Sequence, residues 1–460
     1  MKKRLGYRLF KHYVRFWLDH VMYRRHYILG KENIPAIGDH CVIPANHQNA
    51  AIDPVAMVLS HPQPVHPYVL AMGGVFTWSK IINMIWDWVG MLPAFRMDFE
   101  GVDEALNRTK YVIDFAAEKI TEGNPVMLFP EANHHVEHWM RIWQVGYLEI
   151  AFQAAEKMNF EKDVKIIPLG HHYSSYYGAR GSYILHYGEP FSLQPYYEEY
   201  KQHPRTTMRK INPLIREQVK GMMLYTDDLE HEGLFDFVRL SQVGIDHAKA
   251  MNFDPDYLPD RLKSDQQVFA MLDHGTAIDP KKTEKLMQTW HDIRQAEDEL
   301  HLREHAFEGA RERLRKTGWC ICHTAISLLL HIILLPLWLF TLIPVGVFYY
   351  IPPMFMPGKE DPYYKVYTQS MQLIVSILVL MPLFAIAGLL VMGLCWGWWW
   401  QAVVWILLWP LFGIFAWYNG SWMRQTFERL VMLFHPDKTK RLAKLYDLFY
   451  TQTQELINAK

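Results

Sequence analysis

Two stretches late in the chain, Cys320–Phe355 and Met371–Tyr418, contain no Lys, Arg, Asp or Glu. A membrane helix needs about 20 consecutive, mostly apolar residues. A soluble core helix has no use for an uncharged run this long, so both stretches predict membrane-embedded structure. Arg311, Arg313, Arg315 and Lys316 precede the first run, and Arg424, Arg429, Lys438, Lys440, Arg441 and Lys444 follow the second. Basic residues on both flanks place both on the cytosolic side and call for an even number of crossings. The second run is long enough for two helices turning near Cys395–Trp400. The first, with Pro336, Pro344 and Pro352-Pro353, is expected to enter and return as a broken hairpin.

The chain before these runs is ordinary globular sequence. The full length of 460 residues suggests two domains. A formal net charge of −1 gives no reason to expect nucleic acid or a polyanionic partner. The 4 cysteines, Cys41, Cys320, Cys322 and Cys395, form no disulfide framework and are expected to be buried, reduced thiols. No secretory signal is legible at the N-terminus. There Leu9, Tyr13, Phe16, Trp17 and Val21 recur at helical spacing among Lys2, Lys3, Arg4, Arg8, Lys11 and Arg15. That pattern suits a helix lying on a membrane surface over residues 1–29, or one docked on its own domain.

Residues 30–203 alternate short apolar runs with amphipathic stretches. Strands are expected at Cys41–Ala45, Tyr68–Met72, Val126–Phe129, Lys165–Leu169 and Tyr183–Tyr187. A helix is expected from Asp103 to about Glu122, burying Leu106, Tyr111, Ile113, Ala116 and Ile120 and stopping at Gly123. The fold class is therefore α/β, a mostly buried sheet flanked by helices. Residues 204–317 read as a helical extension, with Lys281–Arg315 one long helix or a helical pair. Residues 318–420 are the hydrophobic segments, transmembrane or re-entrant, and 421–460 a basic cytosolic tail.

Two clusters carry chemistry. Pro44-Ala45-Asn46-His47-Gln48-Asn49-Ala50-Ala51-Ile52-Asp53 follows an expected strand, so His47 stands at the strand's end with a carboxylate six residues on. An Asp that orients a His ring makes it a general base for a hydroxyl proton. Phe129-Pro130-Glu131-Ala132-Asn133-His134-His135 likewise follows a strand. Within it, His134-His135-Val136-Glu137-His138 fits His-x-x-Glu-His, a zinc-peptidase pattern that needs a helix to bring His134 and His138 onto one metal.

Together the two clusters resemble the glycerophospholipid acyltransferase family, whose marks are an Asn-His…Asp motif and a Phe-Pro-Glu-Gly motif. The resemblance spans about Gly30 to Phe191. It includes Gly30-Lys31-Glu32-Asn33-Ile34-Pro35, Gly90-Met91-Leu92-Pro93-Ala94-Phe95-Arg96, Ile166-Ile167-Pro168-Leu169 and Tyr187-Gly188-Glu189-Pro190-Phe191. The family usually places four residues between His and Asp; this chain has five, as in the branch acting on glycerol 3-phosphate or dihydroxyacetone phosphate. Ala132 stands where the family has Gly, a position that Ala fits poorly if φ is positive.

The resemblance implies a membrane enzyme with its site on the cytoplasmic face, moving a fatty acyl group from acyl-coenzyme A or acyl carrier protein. The acceptor is a glycerol phosphate or a lysophosphatidic acid, with no bound cofactor or metal. His47 and Asp53 carry the catalysis, and Arg96 clamps the acceptor phosphate. Glu131 holds the acceptor or organises its loop, and Asn46, Ala132, Asn133 and Pro168 complete the substrate site. A catalytically silent lipid-binding protein of the same fold is the alternative.

Overall fold

In a computed structural model of the chain, the residues described are 5–62, 66–72, 88–94, 102–132, 135–176, 180–315, 317–351, 354 and 369–458. The chain forms two compact units. One comprises Met1–Val136, Met140–Leu224 and Met356–Ile374; the other comprises Glu137–Trp139, Tyr225–Phe355 and Val375–Lys460.

The first unit is α/β. Among the described residues its larger sheet has six strands: β2 (Cys41–Pro44), β3 (Tyr68–Met72), β4 (Met91–Ala94), β5 (Val126–Leu128), β6 (Lys165–Ile166) and β9 (Phe191–Ser192). They lie in the order β4-β3-β5-β2-β6-β9. All neighbours are parallel except the β6–β9 pair. Parallel strands buried on both faces read as unbroken apolar runs, and Cys41, Val42 and Ile43 in β2 are all fully buried. Helices α2 (Ile52–Ser60), α3 (Val102–Thr121) and α4 (Gly146–Lys157) connect them.

A smaller sheet joins β1 (Tyr23–Leu29), β8 (Gly181–Tyr187) and β7 (Leu169–Tyr173) in that order. The single strand expected over Lys165–Leu169 is thus two strands in two sheets. Pro168, with no N–H to donate to a ladder, lies buried between them, and its carbonyl accepts from the Gly188 N–H at 2.8 Å.

The helix expected over residues 1–29 is shorter. Helix α1 (Leu5–Trp17) runs into one π turn, and the chain is extended from Tyr23 as β1. Parallel pairing with β8, some 160 residues away, decides the conformation there and leaves no local signal. Tyr7, Val14, Trp17 and Leu18 are buried within the unit, while Leu9 and Phe16 remain 60% and 43% exposed. Helix α3 begins and ends close to expectation and buries Ala116 and Ile120 as expected, but Val112 is buried with them where Tyr111, 69% exposed, was expected. Helix α6 (Pro204–Met222), after the short α5 (Tyr197–Gln202), belongs to this unit and packs on β7.

The second unit is helical. Lys281–Arg315 is a helical pair, Pro280–Asp298 and Ala306–Arg315, with His301 and His305 at positive φ in the break. The basic tail is a packed helix, Pro436–Ile457, which buries Leu442, Tyr446, Phe449 and Leu456. Among the described residues, three segments are long and apolar enough to cross a membrane: Gly318–Leu342, Gln369–Cys395 and Trp399–Phe434. The first lies in a single helix, Thr317–Tyr350, instead of the expected broken hairpin. A proline frees only one carbonyl in the turn before it, and a long apolar helix tolerates that. The expected turn near Cys395–Trp400 is present, with Gly397 at φ 69° and Trp396, Trp398, Trp399 and Trp400 exposed. Cys41 and Cys320 are buried, but Cys322 and Cys395 are exposed on the apolar segments, and all four are free.

Candidate active site

The strand β2 ends at Pro44, and the chain turns through residues 45–51 into α2, whose first turn carries Asp53. The extra residue between His47 and Asp53 is absorbed at Ala50, whose φ is +38°, and a turn closes with Ile52 N donating to Asn49 O at 2.9 Å. His47 Nδ1 and Asp53 Oδ2 therefore meet at 2.8 Å. The same oxygen accepts the backbone N–H groups of Gln48 and Asn49, each at 2.8 Å.

The other oxygen, Oδ1, accepts the Tyr173 hydroxyl and lies 3.6 Å from His171 Nδ1. Both residues come from β7, two positions apart and so on one face of the strand. Asp53 is fully buried. Burial alone would raise its pKa, but His171, His47 and the Asn49 N–H outweigh that and hold the carboxyl well below the usual range. Burial pushes His171 down to about 4, so it is neutral near pH 7.

His47 is 15% exposed, and its ring stacks on Phe129 at a centroid distance of 3.9 Å. With Nδ1–H directed at an ionised Asp53, the lone pair sits on Nε2, the nitrogen on the far side of the ring. A fixed tautomer with a buried anion behind it can take a proton from a hydroxyl and hold the resulting imidazolium.

Glu131 joins the same loop system just past β5. Its Oε1 accepts the His47 N–H at 3.0 Å, its Oε2 accepts the Arg141 N–H at 2.9 Å, and His135 Nε2 lies 3.4 Å away. Both oxygens thus tie loops together. Asn46 is buried, and its amide pairs reciprocally with the backbone of His171, donating at 3.1 Å and accepting at 2.6 Å; this clamps the end of β2 to β7. Ala132 is exposed, with φ +57°. Pro168 lies at the crossing between the two sheets. Arg96, Asn133 and His134 are outside the described residues. His138 belongs to the other unit, where Glu232 Oε1 accepts from its ring Nδ1 at 2.6 Å. The helix that the zinc-peptidase pattern needs is absent from 135–141.

Several residues of this arrangement have no signal in the local sequence. Tyr23 donates its hydroxyl to Gln369 Oε1 at 2.6 Å, and Asn49 Nδ2 donates to the same oxygen at 2.7 Å. The Ala51 N–H donates to Ser370 Oγ at 2.8 Å, and that hydroxyl donates to Asn49 O. Tyr176 donates to Gln48 Oε1 at 2.9 Å. The turn carrying His47 is thus held by β1, by β7 and by two residues that open the apolar segment Gln369–Cys395.

Residues 25–172 match the model of the Acyltransferase family. One solved structure to which the chain is similar is the 1-acyl-sn-glycerophosphate (LPA) acyltransferase PlsC from Thermotoga maritima. The identity is 16% and the TM-score 0.31, over 45% of this chain and 78% of that one. No curated protein matches.

Proposed function

We propose, from the match of residues 25–172 to the Acyltransferase family model, that this chain esterifies a glycerol phosphate-type alcohol with a fatty acid at a membrane. The donor is a thioester, acyl-coenzyme A or acyl carrier protein, and the acceptor is glycerol 3-phosphate, a lysophosphatidic acid or a close relative. The observation that carries the reading is the 2.8 Å contact of His47 Nδ1 with the buried Asp53 carboxylate.

His47 Nε2 takes the proton of the acceptor hydroxyl as its oxygen attacks the thioester carbonyl. The tetrahedral intermediate collapses with cleavage of the C–S bond, and the thiolate leaves with the proton returned by His47. Asp53 keeps its charge throughout and stabilises the imidazolium. Arg96, from its resemblance to the family's phosphate-binding block, takes the acceptor phosphate. An ester product with long acyl chains partitions into a bilayer, which fits the three apolar segments.

The test is transfer of labelled acyl groups by detergent-solubilised protein to several phosphate-bearing acceptors, with His47→Ala alongside. Transfer to one acceptor, lost in the variant, is the expected result. Folded protein that transfers nothing from either coenzyme A or acyl carrier protein would instead be a silent lipid-binding member of the fold.

A further inference from the structure

Helix α1 presents Arg8, Lys11, His12 and Arg15 to a cavity of about 470 Å³ inside the first unit. The spacing of these residues, three, four and seven apart, puts them along one side of the helix. The apolar side chains of Ile28, Ala56, Leu59 and Leu185 also line it. Among the described lining residues Asp19 is the one carboxylate, and it faces His26 at 3.5 Å and the Tyr183 hydroxyl at 3.5 Å. Two arginines and a lysine thus share a partly apolar cavity with a single acid among its described lining residues.

Part of their role is structural: Lys11 Nζ donates to His61 O at 2.9 Å, and Arg15 donates to Leu59 O, which caps the C-terminal end of α2. Neither bond neutralises a charge. Lys11 is only 6% exposed, and burial, then the neighbouring Arg15, pushes its pKa down to about 8. An anion in the cavity would relieve that repulsion.

We propose that this cavity is a second binding site, which takes a phosphate group carried on an amphiphile. The phosphate meets Arg8, Lys11, His12 and Arg15, and the adjoining hydrocarbon meets Ile28, Leu59 and Leu185. The site lies toward the end of α2 remote from Asp53, about 10 Å along the helix axis. It stands whether or not the His47 centre turns over.

Calorimetric titration of the full chain in neutral detergent tests the assignment, with dioctanoyl phosphatidic acid, dioctanoylglycerol and inorganic phosphate as probes. Dioctanoyl phosphatidic acid is expected to bind at least tenfold more tightly than dioctanoylglycerol. Arg8→Glu should weaken it about tenfold, with the unfolding midpoint unchanged. Arg209→Glu, the same charge change on an exposed residue of α6, and His47→Ala should each leave binding within about twofold. Inorganic phosphate bound as tightly as the amphiphile, with the same Arg8 dependence, would overturn the lipid assignment in favour of a soluble phosphate compound. Binding indifferent to Arg8→Glu, or lost in His47→Ala, would overturn the site itself.

Discussion

The Tyr173 hydroxyl donates to Asp53 Oδ1 while His47 engages Oδ2, so one carboxylate is gripped from both sides. Replacing Tyr173 with Phe removes a donor that stabilises the anion and leaves Asp53 more basic. The ring of His47 then loses part of the fixed anion that orients it. The rate at neutral pH should fall about threefold to tenfold, and stability by about 1 kcal/mol. An unchanged kcat beside a lowered unfolding midpoint would mean that Tyr173 serves stability alone.

Asp53→Asn presents an amide where two backbone N–H groups, a hydroxyl and a ring nitrogen all need an acceptor. It should lower kcat by roughly 10²–10⁴-fold and the unfolding midpoint as well. Steady-state kinetics beside a thermal melt separates the two losses. Asp53→Asn should act mainly on kcat and not on acceptor KM, because Asp53 acts through His47.

Ala132 occupies left-handed backbone at φ +57° with an exposed side chain. Gly there removes the Cβ clash, at the cost of a looser unfolded chain. Ala132→Gly should be neutral to stabilising by up to about 1 kcal/mol while keeping activity. Chemical denaturation measures it directly; a loss above 1 kcal/mol would mean that the methyl group packs.

His61 and His171 are both buried, and burial holds each down to about 4 from an ordinary 6.5. The unfolded chain therefore binds protons that the folded chain does not between pH 6.5 and 4. Stability should be full above pH 6.5 and decline as pH falls through that window, by up to roughly 3 kcal/mol per residue. Denaturation midpoints across pH 4–7 check this, and His61→Gln should flatten the decline.

The meeting of His47 and Asp53 was legible because both lie on one short turn after an apolar strand. Glu131 was legible for the same reason, as a carboxylate just past a strand. Tyr23, Tyr173, Gln369 and Ser370 were not, because what they contribute depends on partners 26 to 346 residues away. The N-terminal segment misled by continuity. Basic and aromatic residues run from Lys2 through Arg25, and no breaker marks where α1 gives way to β1. In α3 the helix was plain and Ala116 and Ile120 lie inward as expected, but Val112 takes the buried place expected of Tyr111, which is 69% exposed. The prolines of Thr317–Tyr350 suggested a turn that an apolar helix does not need to make.

The contacts of Gln369 and Ser370 with the His47 turn have a consequence for biogenesis. Asn49 and Ser370 are 321 residues apart, roughly 15–60 s of translation at ordinary elongation rates. For that interval the turn exists without two of the groups that close it. The ribosome delivers them only after Thr317–Tyr350, so the nascent chain carries an unfinished reaction centre until its first apolar helix has already been made.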